Sequence, residues 1–145
     1  MLTRQDIARL IPHQNGMCLL DGVESWDAER IRCTAASHRR TDNPLRTAGG
    51  LPAVCGIEYA AQAVAVHGGL KAAGTNFHAP ARGYLANAKD VRWQVERLDD
   101  IDADLSIDAE LLISEGGRSI YAFRIAAGGR ALLDGRVAVV LEGTS

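Results

Sequence analysis

Along this 145-residue chain one stretch is apolar on every side, and most of the rest alternates between apolar and polar positions. From Ala53 to Leu70 the sequence reads AVCGIEYAAQAVAVHGGL, with only Glu58, Gln62 and His67 as polar interruptions. A helix that is apolar all round belongs in a core or a bilayer. A bilayer span would need roughly 18 or more uninterrupted apolar residues. The three polar side chains, with Gly56, Gly68 and Gly69, therefore predict a central buried helix. Upstream, Thr3 with Asp6 three residues on predicts the cap of a short helix that ends at Pro12. Met17 to Trp26 reads as a strand and Asp27 to Arg30 as a polar turn. Ile31, Cys33 and Ala35 then alternate with Arg32, Thr34 and Ala36 in a second strand, joined to the first as a hairpin. His38 to Gly50 carries Arg39, Arg40, Pro44, Arg46 and two glycines, and reads as a loop of functional length. After a loop over Thr75–Pro80 the period becomes two. Tyr84 to Val95 reads as a strand. In the next strand Leu105, Ile107, Ala109, Leu111 and Ile113 share one face while Asp104, Ser106, Asp108 and Glu110 share the other. Turns at Glu115-Gly116-Gly117 and Gly128-Gly129 lead into strands over Arg118–Ala127 and Arg130–Leu141. The predicted order is a short helix, two strands, the long buried helix, then four strands in a meander. A sheet curling around one helix covers it, and pairing with a second subunit is one remedy for the sheet's open edges.

The length fits one domain spanning residues 1–145. With 47% hydrophobic and 23% charged residues the chain is too apolar for disorder. A formal net charge of −2 supplies no global field that would draw the chain to nucleic acid. The opening MLTRQDIARL has no apolar run of signal-peptide length. Cys18, Cys33 and Cys55 form no CxxC pair and lie in apolar surroundings, so buried reduced thiols in the cytoplasm are expected. No His, Cys, Asp or Glu set falls at a recognised metal-ligand spacing, and neither a phosphate-cradling glycine loop nor a GxSxG elbow is present. No metal and no cofactor is expected.

The element order is that of the hotdog fold, an α+β architecture. Ile11-Pro12-His13, followed by Met17-Cys18-Leu19-Leu20-Asp21, resembles the Pro-His opening and Leu-Leu-Asp strand of the FabA/FabZ-type dehydratases, which act on 3-hydroxyacyl thioesters of acyl carrier protein. Leu51-Pro52, then Gly56-Ile57-Glu58 and Gln62, is similar to the start of that family's central helix. The tail from Gly83-Tyr84-Leu85-Ala86 onward is similar in strand rhythm. NPLR (43–46) and GIEYAAQ (56–62) resemble the divergent dehydratase-like branch associated with aryl polyene clusters. Two positions depart from the pattern. Pro44 stands where the family carries the histidine that serves as base, and Ala53 replaces the glycine after the helix proline.

The resemblance implies an acyl carrier protein partner, a cytoplasmic homodimer or a heterodimer with a paralogous hotdog subunit, and substrate binding by Ala53, Val54, Gly56 and Gln62. Dehydration removes a proton beside the thioester carbonyl and expels the hydroxyl, so it needs a base, an acid and donors for the carbonyl oxygen. A helix N-terminus supplies such donors, and the amide survives the change to Ala53. Glu58 fits the acid, because an apolar setting favours a neutral, proton-donating carboxyl. Gln62, one turn on, is placed to orient it. Alternatively, Glu58 and Gln62 form a structural pair tying two subunits together. His13 is the leading base and His38 the alternative, while His67 reads as helix-end packing and His78 as loop. Arg39, Arg40, Arg46, Arg82 and Arg92 are either a basic patch for an acidic carrier protein or solvated surface. Two rival functions stay open: a hotdog thioesterase, in which the helix carboxylate activates water, and a catalytically silent partner subunit.

Overall fold

The computed structural model describes residues 2–3, 5–7, 18–73 and 82–142. Near its start the Asp6 carboxylate accepts the Thr3 N–H at 3.0 Å while the Asp6 N–H donates to Thr3 Oγ1 at 3.4 Å. This reciprocal cap is the one the sequence predicts, and it sets Ile7 into the core. The predicted end of that helix at Pro12 lies outside the described residues.

Among the described residues seven strands follow one another: β1 (Leu2–Thr3), β2 (Gly22–Trp26), β3 (Arg30–Ala35), β4 (Arg82–Trp93), β5 (Leu105–Glu115), β6 (Arg118–Ala127) and β7 (Arg130–Glu142). The helix α1 (Gly56–Ala73) lies between β3 and β4 in sequence. The strands form one antiparallel sheet in the order β1-β2-β3-β5-β6-β7-β4. The predicted β2–β3 hairpin is present, its turn held by Asp27 Oδ1, which accepts the N–H groups of Glu29 and Arg30 at 2.8 Å each. The first of these strands begins at Gly22 rather than Met17, which lies outside the described residues. Leu19 is irregular because its N–H and C=O bond to the side chains of Gln62 and Ser37 instead of a neighbouring strand.

The four-strand meander needs correction. β5, β6 and β7 do form one, joined by two-residue turns in which Gly116, Gly117, Gly128 and Gly129 all have positive φ. That sign at both central positions is the type I′ geometry that matches strand twist. β4, however, pairs with β7 at the far edge of the sheet, while β5 pairs with β3. The connection over residues 94–104 carries the chain back past the start of α1, bonding to it through Leu98 N–H to Leu51 C=O at 2.8 Å. The arrangement lets strands from both halves of the chain cover an all-apolar helix: Tyr59, Ala60, Ala63, Val64 and Val66 are buried among Leu105, Ile107, Ile125, Leu133 and Val137. Gly56 permits the closest approach, since a Cβ there would lie 2.8 Å from both methyls of Leu133.

One predicted face also breaks. Leu105, Ile107 and Ala109 are buried as expected, but Ile113 is 54% exposed. The register shifts between Leu111 and Ile113, and a bulge there turns the following side chains to the other face. No helix among the described residues is long and apolar enough to cross a membrane.

Candidate active site

The entry to α1 is the best-defined polar region near the predicted chemistry. Pro52 leads into a 3-10 turn, Ala53–Cys55, which runs directly into the helix. Segment 94–104 is laced across this turn. Leu51 N–H donates to Asp99 Oδ1 at 2.8 Å, and Ala53 N–H donates to the Glu96 carbonyl at 2.9 Å. Asp99 is itself gripped by Arg97 and, at 3.5 Å, by Arg46. The Arg97 guanidinium first, then the Leu51 amide, holds its carboxyl well below the usual carboxylate range.

These bonds correct the expected role of Ala53, because its amide is committed within the chain and is not free for a ligand. The next amide, that of Val54, is given no acceptor by the described residues, and the Val54 side chain is half exposed. Gly56 is buried against Leu133 and Ile125, so its place is set by packing on the sheet rather than by an open site. Glu58 stands in the first turn of α1, partly exposed, the only acidic residue there.

Tyr59 and Gln62, on the same helix as Glu58, belong to a buried polar cluster. Gln62 Oε1 accepts the Leu19 N–H at 2.9 Å. The Leu19 carbonyl accepts from Ser37 Oγ at 2.6 Å, and Ser37 Oγ lies 2.8 Å from the Tyr59 hydroxyl. Asn43 Nδ2 donates to that hydroxyl at 3.1 Å and to the Ser37 carbonyl at 2.8 Å, while Asn43 Oδ1 accepts the Leu45 N–H at 2.8 Å. Gln62 therefore has a structural duty toward Leu19 beside any it has toward Glu58. Sequence reasoning missed Ser37, Asn43 and Tyr59. Tyr59 counts as apolar in a hydrophobic run, yet a buried tyrosine hydroxyl needs a partner, and that was the available signal.

His13, the leading base, and His78 lie outside the described residues. His38 sits in a 3-10 turn, Ser37–Arg39, and is fully buried. Its Nε2–H donates to the Ile101 carbonyl at 3.1 Å, which leaves the lone pair on Nδ1, an atom with no hydrogen-bond partner among the described residues. Burial pushes its pKa down. His38 thus ties the loop to segment 94–104 from inside the protein. Pro44, at the position of the family's base, is exposed. His67 is indeed packed, its Nε2–H donating to the Asp27 carbonyl at 2.7 Å and its Nδ1 accepting from the Tyr121 hydroxyl at 2.6 Å.

The arginines do not gather as free cations. Arg39 pairs with Asp104, Arg40 with Asp42, Arg46 with Asp99 and Arg92 with Asp134; the Arg82 side chain lies outside the description. Arg39, Arg40 and Arg92 each have a carboxylate of their own while Arg46 shares Asp99 with Arg97, which favours the solvated-surface reading over a carrier-protein patch. Cys18 and Cys33 are buried and in no disulfide, whereas Cys55 is only partly covered. Burial pushes the Cys33 thiol up to about 12. Among the described residues no group of three or more His, Cys, Asp or Glu side chains is placed to hold a metal ion.

A family model described as ApeP-like, ApeP dehydratase, matches residues 5–143. Among solved structures the chain is similar to the dehydratase heterocomplex ApeI:P from Xenorhabdus doucetiae, with 26% identity, a TM-score of 0.86, and 95% of this chain and 91% of that one covered. The PaaI protein of E. coli from the phenylacetic acid degradation operon has the same fold at 8% identity, a TM-score of 0.63, and 94% and 88% coverage. A hypothetical thioesterase with coenzyme A from Streptococcus pneumoniae does so at 12% identity, a TM-score of 0.55, and 84% and 85% coverage. No curated protein matches the chain. The fold is a hotdog.

Proposed function

Because the chain belongs to the ApeP-like dehydratase family, we propose that it is one subunit of a two-chain hotdog dehydratase acting on 3-hydroxyacyl thioesters carried by acyl carrier protein. The observation that carries this reading is Glu58, the carboxyl in the first turn of a largely apolar helix, in a chain matched to a dehydratase family along nearly its whole length. In the reaction a base takes the proton beside the thioester carbonyl. Glu58 gives its proton to the departing hydroxyl, which leaves as water, and the electron pair closes the trans-2 double bond. Val54 N–H, rather than Ala53 N–H, is the donor for the carbonyl oxygen, where developing negative charge is best stabilised by a fixed amide.

The base comes from outside the described residues, from His13 or from the second subunit. Both described histidines, His38 and His67, are buried with Nε2–H bound to a backbone carbonyl. The likeness to a heterocomplex supports a paralogous partner over a second copy of this chain. The partner's strand would pair along β4, which among the described residues is hydrogen-bonded on one side only and is far longer than β1 at the opposite edge. The second reading is a catalytically silent subunit. It is favoured by Pro44 at the base position and by the enclosure of His38.

The test is mass spectrometry of a 3-hydroxyacyl carrier protein incubated with this chain, with its hotdog partner, and with both. Each set includes Glu58→Gln. Loss of one water, abolished by Glu58→Gln while the variant keeps its fold and assembly, supports the dehydratase. Loss of water that ignores the variant assigns chemistry to the partner and makes this chain the silent half. Free acid and thiol would move the reading to a thioesterase.

A further inference from the structure

The hydroxyl protons of Ser37 and Tyr59 and the amide protons of Asn43 each have one place in the buried cluster, and that fixes the direction of the bonds among them. The Leu19 carbonyl can only accept, so the Ser37 hydroxyl spends its single proton there, at 2.6 Å. In the 2.8 Å contact between Ser37 Oγ and Tyr59 OH the donor must then be Tyr59. The Tyr59 oxygen is left free to accept, and Asn43 Nδ2 donates to it. The second proton of Nδ2 goes to the Ser37 carbonyl, so the orientation of the Asn43 amide is set as well. Leu19, Ser37, Asn43, Tyr59 and Gln62 are all buried, so a member that loses its partner has little access to water for a substitute.

The network has a functional placement. It joins the segment that leaves the Pro-His opening (Leu19), the loop that carries Pro44 (Ser37 and Asn43), and the helix turn that carries Glu58 (Tyr59 and Gln62). Tyr59 is next to Glu58 in sequence, and its hydroxyl bonds directly to both the loop's hydroxyl and its amide. We propose that Tyr59 is a positioning residue, whose hydroxyl holds Glu58 in register with the two other segments that build the dehydratase site. This rests on the dehydratase reading. Displacements of about 1 Å in a reacting group cost up to roughly a hundredfold in rate. Removal of one hydroxyl is therefore expected to act on turnover well beyond its effect on folding.

Tyr59→Phe keeps the ring and the packing while deleting the link. Asn43→Ala takes the loop's amide from the same hydroxyl without touching the helix, leaving the Tyr59–Ser37 bond in place, and serves if the first variant does not fold. In the assembly that dehydrates a 3-hydroxyacyl carrier protein, assayed well below the melting temperature of each variant, both are expected to lower kcat about 10- to 100-fold with KM changed less than about threefold. Amide hydrogen exchange should quicken at 18–20 and 37–45 and stay as in the wild type across β5–β7. An unchanged kcat overturns the positioning role even if the melting temperature falls, because a merely structural network would give that result. Unchanged exchange at 18–20 and 37–45 overturns it as well. If the wild-type assembly removes no water, the dehydratase reading itself fails and the positioning role falls with it.

Discussion

Acid should unfold this protein in a window set by two buried histidines. His38 and His67 are both fully buried, and burial lowers the pKa of each below its ordinary value, against the pull of the carbonyls of Ile101 and Asp27. A histidine that binds its proton less readily when folded than when unfolded favours unfolding as protons become available. Its contribution is whole above the unfolded value of about 6.5 and is lost as pH falls toward the folded value. Within that window each such histidine contributes a limiting slope of about 1.4 kcal/mol per pH unit, so the pair approaches about 2.7 kcal/mol per unit. The carboxylates held low by their partners, Asp27, Asp42 and Asp99, enter only at lower pH, below about 4. The assay is urea unfolding at closely spaced pH values from 7.5 to 4.5 at constant ionic strength. His67→Phe should be less stable at pH 7.5 by about 1–3 kcal/mol, because the Tyr121 hydroxyl and the Asp27 carbonyl lose their partner. Between pH 6.5 and 5 it should show a shallower slope than the wild type. A wild-type stability that is flat over that interval, or a slope untouched by His67→Phe and by His38→Phe, would refute the assignment of two neutral buried imidazoles.

Three further outcomes are expected. Gly50→Ala should cost about 1–3 kcal/mol in urea unfolding, since φ is +104° there and the new Cβ would lie 2.6 Å from Asp99 Oδ1. Stability equal to the wild type would show that Asp99 can move without loss. Gln62→Leu orphans the buried Leu19 N–H and should lower stability by about 1–3 kcal/mol, whereas Glu58→Gln, at a partly exposed position, should change it far less. The reverse ranking in thermal melts would make Glu58 the structural member of the pair. Arg30→Ala and Arg32→Ala break exposed pairs with Glu110 and Asp108, and each should leave the urea midpoint close to that of the wild type, with any small loss fading in high salt.

The buried helix, the strand pattern and the glycine turns were legible in the sequence because each is a local property. An apolar run without a polar side can only be enclosed, a period of two marks one wet and one dry face, and paired glycines accept the positive φ of a tight turn. Glu58 was legible for a similar reason, as a carboxyl where the pattern permits few polar groups. What the sequence did not contain was which strand lies beside which. β4 follows the helix in the chain yet ends at the sheet's far edge, and the return path over 94–104 places Glu96 on the amide of Ala53. A hydrogen bond between residues so far apart has no local sequence correlate, and so the donor expected at Ala53 was lost to it. His38 has the same history. Its spacing put it near the position of a catalytic base, but the chain's return brought the Ile101 carbonyl to its Nε2 and closed it in. Tyr59, Ser37 and Asn43 look like one apolar and two loop residues until three segments meet. Only that meeting takes them out of water, and burial then obliges each polar group to find a partner.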